Sequence, residues 1–305
     1  MMEISQTVRE ALQAAGYQAV TVSVDHLVEV QSAVARLVER GIVDKRLSED
    51  WRFYLKKSDG LAGAQTIIIV AIPQPVIRFS FHWQGAKHPA EIAPGYIAEV
   101  DVSRAMEIVR GMLEPAGYTA ARASLALKTL AVRSGLAEYG RNNLAYVSGM
   151  GSFLRLIAFY SDCPCGDDSW GGYRTMSACS GCSICLDNCP TAAVTSERFL
   201  IHAENCLGFL GRRQPDFPYW VRLQPEWDNA FIGCMRCQSV CPVNKDFIDN
   251  IVEGPSFTET ETGRILEAVP ADDLPPDTRD KLADIAVHVY PLLSCNLREL
   301  IERRR

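Results

Sequence analysis

The chain has 305 residues, 48% of them hydrophobic and 22% charged, with a formal net charge of −6 and a pI near 5.5. Those proportions exclude a disordered or fibrous class and leave room for one large or two ordinary domains with a sizeable core. The acidic balance gives no overall attraction to nucleic acid, and the longest apolar run, Thr66 to Pro73, falls well short of the ~18 residues of a membrane helix.

Ile4, Val8, Leu12 and Ala15 recur at helical spacing and Gly16 supplies a stop, which predicts an opening amphipathic helix. Gln18 to Val24 is β-branched and alternating, so a strand follows, and Asp25 stands where an N-cap would start a helix running to Gly41. A further helix is expected from Asp44 to Lys57. Gln65 to Pro73 is apolar on both faces, as a strand is when helices cover a sheet on either side, and it is the expected central strand. Val76 to His82 alternates and reads as a second strand. Trp83 to Pro94 reads as a surface loop, and His82 and His88 as solvated loop histidines, since no nearby spacing supplies them with metal-binding partners.

Helical spacing returns from Tyr96 to Glu114 and ends near Gly117. Tyr118 to Arg122 is a short predicted strand, and Ser124 to Arg133 a helix closed by Ser134 and Gly135. Leu144 to Ser148 and Ser152 to Tyr160 are predicted strands around a Gly149-Met-Gly151 bend. Asp162 to Met176, rich in Gly, Asp, Pro and Ser, is the expected linker and domain boundary.

Cys179-Ser-Gly-Cys182-Ser-Ile-Cys185-Leu-Asp-Asn-Cys189-Pro190 then has the spacing C-x2-C-x2-C-x3-C-P of two-cluster ferredoxins. Three thiolates two residues apart can wrap one 4Fe-4S cluster from a single loop, while the fourth, set before a proline, turns towards a neighbouring cluster. Cys234-Met-Arg-Cys237-Gln-Ser-Val-Cys241-Pro242 is a second run, with Cys206 between the two. Four, one and three make the eight thiolates that two clusters require. If the last cysteine of each run serves the other cluster, the sets are Cys179, Cys182, Cys185 with Cys241, and Cys206, Cys234, Cys237 with Cys189. Zinc takes four ligands and has no use for a third cysteine two residues on. Disulfides do not suit the reducing cytoplasm expected from a start, Met1-Met-Glu-Ile-Ser-Gln-Thr, without a secretory signal. Cys163, Cys165 and Cys295 remain and are expected to hold nothing.

The predicted layout is an α/β domain over residues 1–162, a cluster domain over 163–250 and a helical tail over 251–305, with helices at Thr260 to Val269 and Pro276 to Tyr290. Clusters that share alternate cysteines lie close enough to pass electrons, so the cluster segment is a wire. One end meets an external donor. The other meets either a partner protein, which would make the chain a carrier, or a catalytic centre in the first 160 residues, which their size favours.

Leu130-Ala-Val-Arg-Ser-Gly-Leu136, Tyr139-Gly-Arg-Asn-Asn143 and Gly151-Ser-Phe153, followed by the cysteine run, resemble the epoxyqueuosine reductase family and its reductive dehalogenase relatives over roughly residues 60 to 247. The resemblance implies an α+β chain in which a nitroreductase-like α/β domain holds a cobalamin, followed by a two-cluster ferredoxin-like domain and a short helical tail. It further implies an electron donor of ferredoxin or flavodoxin type and reduction of the substrate at cobalt. The corrinoid would lie near Arg141, Asn142, Gly151 and Ser152, with Arg141 donating to amide or phosphate groups at the corrin edge. The chain also departs from the family. Where relatives carry Arg-Asp-Tyr-His it reads Ile97-Ala-Glu-Val-Asp-Val-Ser103, an aspartate before the Leu130 block is replaced within Ala120-Ala-Arg-Ala-Ser124, and the helical-repeat tail is missing. These departures leave the proton donor unassigned and, with the acidic balance, argue against tRNA as substrate while leaving it open beside a small molecule or modified nucleoside. The alternative is a relative that has lost the corrinoid and only passes electrons to a partner enzyme.

Overall fold

A computed structural model describes residues 4–43, 61–96, 99–210, 230–283 and 290–303. In chain order its elements are α1 (Ile4–Ala14), β1 (Gln18–Ser23), α2 (His26–Glu39), β2 (Thr66–Pro73), β3 (Val76–Trp83), β4 (Ala86–Ile92), α3 (Glu99–Leu113), β5 (Ala120–Ala123), α4 (Leu127–Arg133), β6 (Glu138–Tyr139), β7 (Ala145–Tyr146), β8 (Leu154–Ser161), α5 (Ile184–Asp187), α6 (Leu207–Leu210), α7 (Arg236–Ser239), β9 (Ile251–Phe257), α8 (Glu259–Leu266), α9 (Pro276–Leu282) and α10 (Tyr290–Arg303). They form two compact units of mixed helix and sheet. Unit 1 is Met1–Pro73 with Val100–Cys182, and unit 2 is Gln74–Glu99 with Ser183–Arg305.

Unit 1 is built on an antiparallel sheet in the order β1-β2-β8-β5. Strand alternation divides β2 between two cores. Ile67, Ile69 and Ala71 face the cluster that takes in Leu27 and Val30 of α2 and Leu130 to Val132 of α4. Ile68, Val70 and Ile72 face the opposite core, with Val8 and Leu12 of α1 and Val102, Ala105 and Val109 of α3. The six residues from Ile67 to Ile72 are at most 1% exposed, so each isoleucine side chain contributes about 1.5–3 kcal/mol by burial. Central position and helices on both faces are as the apolar run implies.

Unit 2 contains a smaller sheet, β4-β3-β9, in which β3 and β4 form an antiparallel hairpin and β9 pairs with β3 in parallel. Phe81 stacks on Phe257 at a centroid distance of 4.8 Å, Phe79 meets the same ring at a tilt at 5.7 Å, and Ile265, Leu282, Leu293 and Leu297 from α8, α9 and α10 close this core.

Several expectations change. Trp83 to Pro94 is not a loop, because Gln84 and Gly85, at φ of 51° and 76°, make the tight turn that lets β4 fold back on β3. His88 is consequently a strand residue only 7% exposed, paired opposite Phe81, and not a solvated loop histidine. Asp25 makes no side-chain cap to α2, which ends at Glu39. The tail is not purely helical, since it opens with β9. The helix expected at Asp44 to Lys57 lies outside the described residues, as does part of the one expected at Pro276 to Tyr290.

The segment read as a linker is packed along unit 1, and the unit changes only at Ser183. Asp167 pairs with Arg9, the Cys163 carbonyl accepts from Thr66 Oγ1 at 2.7 Å, and the Trp170 ring stacks on His26 at 4.3 Å while its Nε1 donates to Glu29. Polar, Gly-rich composition looks the same whether a segment hangs free or is bonded down along its length. Among the described residues no helix is long and apolar enough to cross a membrane.

Candidate iron-sulfur centre

All eleven cysteines are free of disulfides. In unit 2 the cysteines of the two runs, with Cys206, sit on or beside turns too short to be stable alone. Cys185 lies in the four-residue α5, Cys189 just beyond it, Cys206 at the end of a 3-10 turn, and Cys237 in the four-residue α7. A C-x2-C spacing on such a turn presents both thiols to one side.

These thiols converge. Burial pushes Cys234 up to about 11, with neighbouring Cys206 and Cys189 adding to the rise. Cys237 is raised further by burial and then by Cys234, Cys206, Cys185 and Cys189. A methyl group built on Gly208 would stand 3.8 Å from both Cys206 Sγ and Cys234 Cβ, so these two cysteines flank the same short helix. Sulfurs crowded in a low-dielectric site resist ionising together; iron bound to each would relieve that repulsion. Cys189, Cys206, Cys234 and Cys237, the set predicted for one cluster, are therefore brought together, and Cys185, assigned by the same rule to the other cluster, lies beside Cys237 as well. Among the described residues no three His, Cys, Asp or Glu side chains close on the position of a single ion. Ligands of a four-iron cubane stand farther apart, because each thiolate binds its own iron.

The β3–β4 hairpin holds the second cysteine run in place. Phe231 N–H donates to the Glu91 carbonyl at 2.6 Å, Ala93 N–H to Ile232 at 3.1 Å, and Ile92 bridges Ile232 in parallel. Gly233, at φ +86°, then turns the chain into Cys234; a Cβ there would lie 2.6 Å from the Tyr96 ring. Tyr96 itself donates its hydroxyl to the Gly208 carbonyl at 3.1 Å. Past the run, fully buried Asn244 donates Nδ2 to the Gln238 carbonyl at 3.0 Å. Sequence reading missed Tyr96 and Asn244. A buried Asn three residues after Cys241 carried a weak signal, but Tyr96 carried none without the fold.

Cys179 and Cys182 belong to unit 1, whereas Cys185 and Cys241 belong to unit 2. Cys182 N–H donates to the Cys179 carbonyl at 3.3 Å, closing a tight loop that follows the hairpin β6–β7: Tyr139 N–H donates to Arg174 at 2.8 Å and Met176 N–H to Tyr139 at 2.9 Å. Arg141, on the turn of that hairpin, donates its backbone N–H to Cys179 Sγ at 3.4 Å and Nη2 to the Cys179 carbonyl at 3.2 Å. Its Nε is buried without a hydrogen-bond partner. Asn142, 4% exposed, spends its amide on the turn, donating to Tyr146 Oη at 2.9 Å and accepting from Leu144 N–H at 3.2 Å. The Gly151 carbonyl accepts from Val147 N–H at 2.9 Å, and Ser152 beside it is 6% exposed.

Of the remaining cysteines, Cys163 is 1% exposed, and burial followed by the Asp168 charge pushes Cys165 up to about 11. Both features describe an unreactive thiol. Cys295 lies on α10.

Residues 178–244 match the family model of the 4Fe-4S double cluster binding domain. Epoxyqueuosine reductase of Staphylococcus aureus is 30% identical over 118 residues, 39% of this chain and 29% of the relative; that of Lactococcus garvieae is 31% identical over 170 residues, 53% of this chain and 46% of the relative. The match thus spans less than half the length of these curated relatives. The structure of epoxyqueuosine reductase from Streptococcus thermophilus superposes with a TM-score of 0.66 at 19% identity, covering 98% of this chain and 81% of that one. The chain is a homologue of the epoxyqueuosine reductases, with their fold and with a 4Fe-4S double-cluster domain at residues 178–244.

Proposed function

We propose that this protein is an iron-sulfur reductase that takes electrons from a ferredoxin- or flavodoxin-type donor through two 4Fe-4S clusters to a corrinoid held by unit 1. The observation that carries the reading is the convergence of the cysteines from both runs with Cys206: Cys206 and Cys234 flank one short helix, and Cys189, Cys237 and Cys185 lie with them. The same rule assigns Cys179, Cys182, Cys185 and Cys241 to the other. Two clusters make a wire, and the three-layered unit 1 is the candidate for its catalytic end.

The residues present suit a corrinoid at one point in particular. Arg141 Nε is a buried donor without a partner, and the amide and phosphate groups at a corrin edge are acceptors. Asn142 contributes by holding the turn, and Gly151 with Ser152 by letting backbone come close. A bound corrinoid would supply low-potential cobalt chemistry, to which iron-sulfur clusters are suitable donors. A solved epoxyqueuosine reductase carries an epoxyqueuosine-modified tRNA stem loop. For this chain that makes the modified nucleoside, free or in tRNA, the first substrate to assay beside small molecules.

Anaerobic iron and sulfide analysis should find about eight irons per chain, as two cubanes need. Stoichiometric zinc, or about four irons, would sink the ligand assignment. Cobalamin titration followed by absorbance should show binding that weakens in Arg141→Ala; binding of a flavin in its place would leave a reductase of different chemistry.

A further inference from the structure

We infer that Arg141 is a positioning residue that raises the reduction potential of the cluster bound through Cys179. The inference rests on the proposal that Cys179 is an iron ligand. Reduction adds one negative charge to a cluster, and part of that charge resides on its cysteine sulfurs. A hydrogen bond donated to such a sulfur therefore stabilises the reduced form more than the oxidised one, and the potential rises.

Within the turn, three neighbouring N–H groups are taken up locally. Gly140 N–H donates to the Leu144 carbonyl and Asn143 N–H to the Gly140 carbonyl, both at 2.9 Å, while Leu144 N–H goes to Asn142 Oδ1. The Arg141 N–H goes instead to Cys179 Sγ at 3.4 Å. Its geometry is set by parts that cannot easily move. A Cβ on Gly140 would lie 2.5 Å from the Tyr146 ring and 2.6 Å from Asn142 Oδ1, so the turn closes tightly over that glycine, and Asn143 takes the left-handed conformation at φ 59°. The side chain pins the same contact a second time, through Nη2 to the Cys179 carbonyl at 3.2 Å. Its permanent positive charge acts in the same direction as the N–H.

The test is an anaerobic potentiometric titration of the full chain with dithionite, followed by electron paramagnetic resonance. One electron enters each cluster, and no bond to the protein forms or breaks. Arg141→Ala and Arg141→Pro both remove the guanidinium, but only the proline also removes the N–H. Both should shift one cluster to lower potential, Arg141→Pro the further, with the other cluster at its wild-type value. Asn142→Ala, which loosens the turn and keeps Arg141, should lower the same cluster's potential at unchanged iron content, and it decides the matter if Arg141→Pro fails to fold. Unmoved potentials in Arg141→Ala and Asn142→Ala at full iron content would overturn the inference. Cys179→Ala separates the two levels: it should lose one cluster. If both clusters survive, the ligand assignment fails and the inference falls with it, whereas loss of a cluster with unmoved potentials in the other variants overturns the inference alone.

Discussion

The sheet of unit 1 and the cysteine segment of unit 2 are held together by different means. Around β2, six consecutive residues at most 1% exposed are packed between two helical layers, so stability comes from removing hydrocarbon from water. From Ser183 to Asn244 the described elements are helices and 3-10 turns of three or four residues, none of which could persist alone. Their cohesion comes from the burial of a few side chains such as Phe231, Ile232 and Met235, from bonds to the β3–β4 hairpin, from Tyr96 and Asn244, and, on our reading, from iron. Loss of a methyl group should therefore trouble the first region less than loss of a proposed iron ligand would trouble the second.

Iron removal should separate the two regions most sharply. Chelation under anaerobic conditions should abolish amide protection across the described residues of 184–244 while β2 and β8 keep theirs, as hydrogen exchange would show. Simultaneous loss in both regions would mean that the units do not differ in this way. The next effect is that of Cys241→Ala, which should cost one of the two clusters and leave about four irons, whereas Cys295→Ala should keep about eight. Iron analysis distinguishes them.

A packing change should do the reverse. Ile69→Ala opens a cavity beneath α2 and α4 and should destabilise unit 1 by about 2–5 kcal/mol in chemical denaturation, with iron content unchanged. The smallest effect belongs to Thr258, which accepts from Glu261 N–H at 3.3 Å while Glu261 Oε2 accepts from Thr258 N–H at 2.8 Å, a reciprocal cap on α8. Thr258→Ala should cost about 1 kcal/mol in denaturation of unit 2 and should not alter the cluster absorbance.

Features that depend on neighbouring residues were legible in the sequence. Spacing of cysteines pointed to the 4Fe-4S double-cluster domain matched at residues 178–244, because thiols two residues apart can share one turn whatever surrounds them. The uninterrupted Ile67 to Ile72 run determined a central strand covered on both faces, and helical periodicity placed α1 and α3, because burial patterns repeat with the period of the backbone. Tertiary structure decided what depends on partners distant in the chain. Trp83 to Pro94 reads as loop until β4 is seen paired with β3 and bonded to Phe231 and Ile232; its polar residues and proline hide a strand whose partners lie partly about 140 residues away. β9 and the close packing of residues 162–176 were invisible for the same reason. So was the bond from Arg141 to Cys179, because it arises from a hairpin turn and a cysteine loop that meet only when the backbone has folded.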